Sequence, residues 1–319
     1  MALELPREKW VGRIGEVVVG ALENEGGTRT SKVTLGGATS LPFLGFEGEF
    51  PNKPPIAIEI FDVVREDYPE VVREPFEDVI DYPAKWAKKC VEEYGADMIC
   101  IRLIGTDPEE EDRSVDETEE TIRALREAVG VPLIIYGSGH EEKDAKVMEM
   151  ASNLMAGERC LLGLAEEAAY KSVSVASMAN DHGIVAFSNL DINLAKQMNI
   201  LLTDFGVKLE NIVMDPLQAG LGYGLEYSYS VIERIRLAAF MGDKILQVPI
   251  LCATSRMWNA REAFKEDPSL GDGRSRAVFW EATTGLSALL AGADGLIMRH
   301  PDAVRYVKEF IKELHGGDQ

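Results

Sequence analysis

The sequence predicts an α/β fold: a (β/α)8 TIM barrel with an N-terminal β-hairpin extension. Three observations lead there. Short apolar runs alternate with stretches of helical period, which is the pattern of crossover units and a parallel sheet. A glycine recurs between a helical stretch and the next apolar run, at Gly95, Gly130, Gly157, Gly183, Gly206, Gly242 and Gly292. Glycine suits the residue just past a helix because positive φ costs it no Cβ clash. The number of units also matters: eight of them over about 260 residues suit a closed barrel better than an open sheet. No GxGxxG follows the first run, so the main signature of a dinucleotide-binding sheet is absent.

Before the barrel, Glu16–Gly20 and Lys32–Leu35 read as two strands around the turn-forming Asn24–Gly27. Residues 1–53 are expected to form an extension that closes the bottom of the barrel, and residues 54–319 the barrel itself. The barrel strands are expected at Ile56–Val63, Met98–Ile104, Leu133–Tyr136, Arg159–Leu164, Ile184–Phe187, Ile212–Met214, Pro249–Ala253 and Gly295–Met298. These runs are continuously apolar, as suits parallel strands covered on both faces. Between them, Val115, Thr118, Ile122, Leu125 and Val129 step by three and four, with a capping box at Ser114 and Glu117. Val231, Ile235 and Ala238 mark another helical stripe. A third, Val304, Val307, Ile311 and Leu314, has Pro301 in its first turn.

Composition narrows the partners. The 319 residues carry 33 Lys plus Arg against 54 Asp plus Glu, a net charge of −21. So acidic a surface repels phosphate backbones and anionic lipid heads, so nucleic acid and membranes are not expected partners. Met1–Trp10 has no signal-peptide pattern, and no uninterrupted run of about 18 apolar residues occurs. Cys90, Cys100, Cys160 and Cys252 are widely spaced and read as buried thiols in a reducing cytoplasm. With no CxxC pair, neither a zinc site nor an iron–sulfur cluster is encoded. His140, His182, His300 and His315 lack metal-ligand spacing, and His182 reads as a dipole partner at the end of its helix.

Barrel chemistry sits on the loops after the strands. Those positions here are Asp62, Arg102, Ser138, Asn189, Asp191, Asn193, Asp215, Thr254, Arg256, Arg299 and His300. Each has two readings, a functional group or a cap for the next helix. Ser188–Asn193 packs four polar residues into six, which invites a ligand or partner, or a cap at Asp191. Asp215–Pro216 leads into Gly220–Leu221–Gly222–Tyr223–Gly224. Alternate glycines let backbone pass close to a bulky group, or they simply make a mobile loop; no Gly-Lys-Ser/Thr follows, so it is not a P-loop.

Several segments occurring in order carry a family resemblance: Gly26–Thr30, Leu41–Pro42–Phe43, Phe46–Glu49, Leu190–Asn193, Lys196–Leu201, Asp215–Pro216, Gly220–Gly224, Glu226–Ser228, Glu233–Arg236 and Met298–Pro301. Together they resemble the small subunit of the corrinoid/iron–sulfur protein, the delta-subunit family of acetyl-CoA decarbonylase/synthase. The resemblance spans almost the whole chain. It implies a cytoplasmic methyl carrier of the reductive acetyl-CoA pathway. In such a carrier a large subunit holds a [4Fe–4S] cluster, and a corrinoid (cobamide) lies between the two subunits. A methyl-pterin methyltransferase loads the carrier, and acetyl-CoA synthase unloads it. The chain itself would hold no cluster and, lacking a DxHxxG histidine (Asp181–His182–Gly183 does not fit), would give cobalt no familiar axial ligand. On this resemblance Asn189, Asp191, Asn193, Gln218, Gly222, Tyr223 and Gly224 are expected to face the cofactor or the large subunit, with no catalytic residue and no metal ligand. Two alternatives stay open. One is an autonomous pterin-dependent methyltransferase in which Asp62, Asp215 and Asn193 bind the pterin. The other is an assembly scaffold whose mouth tolerates substitution.

Overall fold

The computed structural model describes residues 5–42 and 44–315. Phe43 and Met1–Glu4 of the N-terminal stretch lie outside the described residues. Strands β1 (Glu16–Val19) and β2 (Val33–Gly36) pair antiparallel. Eight parallel strands follow: β3 (Ile56–Phe61), β4 (Met98–Arg102), β5 (Leu133–Tyr136), β6 (Leu161–Ala165), β7 (Gly183–Phe187), β8 (Ile212–Asp215), β9 (Leu251–Ala253) and β10 (Gly295–Met298). Their order is β8-β7-β6-β5-β4-β3-β10-β9, and a parallel bridge from Met214 to Ile250 joins the two ends. The expected TIM barrel is therefore closed, and each expected run overlaps one of its strands, with ends that differ by up to two residues.

Helices α1 (Glu70–Arg73), α2 (Pro83–Glu92), α3 (Val115–Ala128), α4 (Glu141–Leu154), α5 (Tyr170–Ala179), α6 (Ile192–Phe205), α7 (Leu225–Phe240), α8 (Gly273–Ala291) and α9 (Pro301–Leu314) occupy the crossovers. The Ser114–Glu117 capping box opens α3, and Pro301 stands in the first turn of α9. Five of the seven recurring glycines have positive φ: Gly95, Gly157, Gly206, Gly242 and Gly292. Gly183 is instead the first residue of β7, and the positive φ before it falls on Asp181. Gly130 serves close approach: a Cβ there would meet Thr30 Oγ1 at 2.2 Å, because the hairpin's return crosses it.

Although the strands are mainly apolar, their side chains alternate between two cores. Ile56, Ile58, Ile60, Ile99, Ile101, Ile135, Leu296 and Met298 belong to the core between sheet and helices. Ala57, Met98, Cys100, Ile134, Val213, Leu251 and Ile297 fill the barrel interior together with Val17, Val19 and Leu35 of the hairpin. The hairpin thus plugs the end where the strands begin. Its turn is fastened there by Arg29, whose Nε–H donates to Glu158 Oε2 at 2.8 Å with both side chains 1% exposed. Thr28 and Arg126 also donate to Glu158. The Gly26–Thr30 block therefore serves architecture. So does Glu233–Arg236, where buried Arg236 donates to Gly292 O and Val248 O and pairs with Asp294.

His182 is corrected by its surroundings. It is fully buried, accepts from Cys160 N–H at Nδ1 (3.2 Å) and reaches Ser152 O through Nε2 (3.0 Å). It is a neutral tie from α4 to β6, with burial pushing its pKa down, and not a charge at the end of its own helix. The four cysteines are free and buried. Among the described residues, no helix is long and apolar enough to cross a membrane.

Candidate functional site

The inward register of the strands decides what reaches the mouth. One step above the apolar interior, β3 presents Glu59, β4 presents Arg102, β8 ends in Asp215, and Arg299 follows β10. Glu59 is 1% exposed, and it accepts from Arg102 Nε at 3.0 Å and Arg299 Nε at 2.6 Å. A buried carboxylate is tolerable only when paired and hydrogen-bonded. Burial by itself would raise its pKa, but Arg299 and Arg102 outweigh burial and hold the carboxyl down at about 2. Both guanidinium groups lie over aromatic rings, Arg102 over Tyr136 and Arg299 over Phe61.

Across the mouth, Arg256 Nη1 stands 3.2 Å from Asp215 Oδ2, and its guanidinium covers Phe187. Angles at that ion pair do not make a hydrogen bond, so both atoms remain without one. Burial pushes the Asp215 pKa up, with Arg256 pulling the other way.

The residues expected from sequence gather on two adjacent loops, those after β7 and β8. Ser188 N–H donates to Asp215 O at 3.0 Å and Leu190 N–H to Pro216 O at 3.2 Å, so the loops travel together. Asn189, Asp191 and Asn193 are exposed at the start of α6. Asp191 is its N-cap, accepting from Asn193 N–H (2.6 Å) and Leu194 N–H (3.2 Å). Gln218 is buried and its Oε1 has no partner; nor has Ser188 Oγ. Gly222 and Gly224 have φ of 74° and 99°. The loop between them is pinned: Trp280 Nε1–H donates to Leu221 O at 2.9 Å, and Tyr223 OH contacts Glu262. Tyr223 is nevertheless 49% exposed, and Tyr227 64%.

Other strand-end residues are caps or braces. Asp62 accepts from Gly105 N–H, Ser138 donates to Asp144, Thr254 donates to Ile297 O, and His300 Nδ1 accepts from Asp302 N–H as the cap of α9. Sequence reasoning missed Glu59, although a lone carboxylate inside Ile56–Phe61 had to find a cation. It also missed Glu281 of α8, fully buried, which accepts from Arg299 N–H (2.7 Å) and His300 N–H (2.9 Å). Burial raises the Glu281 pKa to about 7. A cavity of about 900 Å³ opens between the loops after β3 and β9 and is lined by Arg102, Arg256 and Arg299. Among the described residues, no group of three or more His, Cys, Asp or Glu could hold a metal ion.

The fold resembles dihydropteroate synthases. One from Xanthomonas albilineans, in complex with 7,8-dihydropteroate, gives a TM-score of 0.57 at 14% identity, covering 85% of this chain and 97% of that one. One from Coxiella burnetii, in complex with pteroic acid, gives 0.57 at 16% identity over 86% and 97%. At such identities the likeness concerns the fold alone. In sequence the chain is 40% identical to acetyl-CoA decarbonylase/synthase complex subunit delta 2 of Methanosarcina acetivorans, over 97% of this chain and 72% of that protein. It is 40% identical to subunit delta of Archaeoglobus fulgidus (97% and 70%) and of Methanocaldococcus jannaschii (98% and 76%). Residues 16–306 match the family model described as the CO dehydrogenase/acetyl-CoA synthase delta subunit, and the chain belongs to that family.

Proposed function

We propose that this chain is the corrinoid-sheltering subunit of a methyl carrier, with its barrel mouth forming one wall of the cofactor site and an iron–sulfur partner subunit the other. The observation that carries the reading is the rim made by the loops after β7 and β8. Buried Ser188 Oγ and Gln218 Oε1 lack partners there, beside exposed Asn189, Asn193 and Tyr223 and the open backbone at Gly222. Unpartnered buried polar atoms are costly and rare unless something else bonds them. A ring bearing many amide side chains suits amide and hydroxyl partners of this kind, and the turns at Gly222 and Gly224 let backbone lie flat against it. A corrinoid, when bound, supplies a cobalt able to accept and release a methyl group. The residues of this chain would bind its periphery, fix its tilt and exclude water. The proposed loading enzyme is a methyl-pterin methyltransferase, and the proposed recipient acetyl-CoA synthase.

A second reading, an autonomous pterin-dependent methyltransferase, draws on the fold shared with dihydropteroate synthases. Against it, the carboxylates that a pterin ring would engage already have partners: Asp215 faces Arg256, Asp62 holds Gly105 N–H and Glu59 holds two arginines. Expressing the chain with and without the partner subunit, then assaying cobalt and the visible spectrum, separates the readings. The carrier reading expects a colourless lone chain and an orange heterodimer. Methyl transfer from methyl-pterin to free reduced corrinoid by the lone chain would overturn it.

A further inference from the structure

The mouth cavity has a charge balance opposite to that of the chain. Six cations line it, Arg65, Arg102, Arg256, Arg261, Lys265 and Arg299, against two acids, Asp67 and Glu262. The chain as a whole has 33 basic and 54 acidic residues. At the cavity floor the imbalance is structural. Three guanidinium groups, with side chains 20%, 19% and 13% exposed at Arg102, Arg256 and Arg299, share two carboxylates, Glu59 and Asp215. Arg102 and Arg299 each give Glu59 their Nε–H, and neither hydrogen-bonds through its Nη groups among the described residues. Arg256 Nη1 is buried without a hydrogen bond. At the rim, Arg261 and Lys265 make no ion pair among the described residues. Aromatic walls (Phe61, Tyr68, Trp258 and Phe264) complete the enclosure. Positive charge left over in a half-enclosed, low-dielectric site is unfavourable alone and attracts a counter-charge strongly. Arginine forks match the oxygens of carboxylates and phosphates two at a time, and aromatic faces favour a flat group beside them.

We propose that this cavity is a binding site for an organic oxyanion, a carboxylate or phosphate carried on a flat ring, with the oxyanion on Arg102, Arg256 and Arg299 and the ring between the aromatic walls. The site lies beside the β7–β8 rim and stands on charge balance, so it is independent of the corrinoid reading.

Titration calorimetry on the full chain tests it with phenyl phosphate, N-benzoylglutamate and neutral benzamide. Either anion binding one to one, with affinity falling at least about tenfold between 20 and 200 mM KCl, supports the site, and the tighter anion identifies phosphate or carboxylate as its ligand class. The rim variant Arg261→Gln/Lys265→Gln, which removes no buried contact, should weaken binding by about threefold to tenfold. Arg256→Gln should weaken it further, and Glu59→Gln, which adds net positive charge, should tighten it. Benzamide binding as well as the anions, no anion binding at 20 mM KCl, or unchanged affinity in the rim variant would each overturn the proposal.

Discussion

Replacing Glu59 by Gln probes the keystone of the mouth. The side chain is 1% exposed and receives Arg102 at 3.0 Å and Arg299 at 2.6 Å. Its pKa falls from 4.5 to about 2 in the fold. At about 1.36 kcal/mol per pKa unit, that displacement stabilises the fold by about 3 kcal/mol at neutral pH. Removing one member of a buried pair costs about 3–5 kcal/mol by an independent route, because it strands the guanidinium charges. The sign follows from a depressed acid: stability is present above pH 4.5 and lost as pH falls toward 2. Urea unfolding of the two proteins should therefore show Glu59→Gln less stable by about 3 kcal/mol at pH 7, and by only about 2 kcal/mol at pH 3.5. Equal stability at pH 7, or a gap that does not narrow with acid, would refute the reasoning.

The opposite trend is expected at Glu281, whose pKa rises to about 7 on burial. Up to about pH 7 the fold keeps its proton while the unfolded chain releases it, so about 2–3 kcal/mol of stability disappears between pH 5 and pH 8. Comparing wild type with Glu281→Gln across that range should isolate this slope; parallel curves would contradict it. At the barrel bottom, Glu158→Ala strands buried Arg29 and should cost about 3–5 kcal/mol in chemical denaturation while leaving anion binding at the mouth intact. Gly224→Ala forces a Cβ onto φ of 99° and should lower stability by about 1 kcal/mol or more, measured by thermal unfolding. Under the proposed function, Asn193→Ala with Tyr223→Ala removes an exposed amide and a half-exposed ring whose hydroxyl contacts Glu262; a folded barrel with reduced cobalt content of the heterodimer is expected, and undiminished cobalt would remove both residues from the site.

Much of the barrel was legible because its signals are local. Continuous apolar runs such as Ile56–Phe61 mark strands covered on both faces, and Ser114–Glu117 marks a helix start. Where a position depends on a distant neighbour, local pattern fails. Gly130 is fixed by Thr30 a hundred residues away, and His182 by Ser152 and Cys160. The mouth was half legible. Strand-end counting found Arg102, Asp215, Arg256 and Arg299, but caps and ligands look alike in sequence, and Asp191 and His300 are seen here as caps. Glu59 and Glu281 escaped because one hides inside an apolar strand and the other inside a helix. Their partners become visible only when β3, β4 and β10 are laid side by side. Two family blocks, Gly26–Thr30 and Glu233–Arg236, brace the end of the barrel opposite the mouth.

The most direct test of the proposed function strips this chain from the proposed two-subunit assembly, once purified, and counts the cobalt that stays with the partner. Loss of cobalt together with the chain, and its return when the chain and a corrinoid are added back, is the predicted result. Cobalt that remains on the partner at full occupancy and still accepts methyl groups would contradict the account.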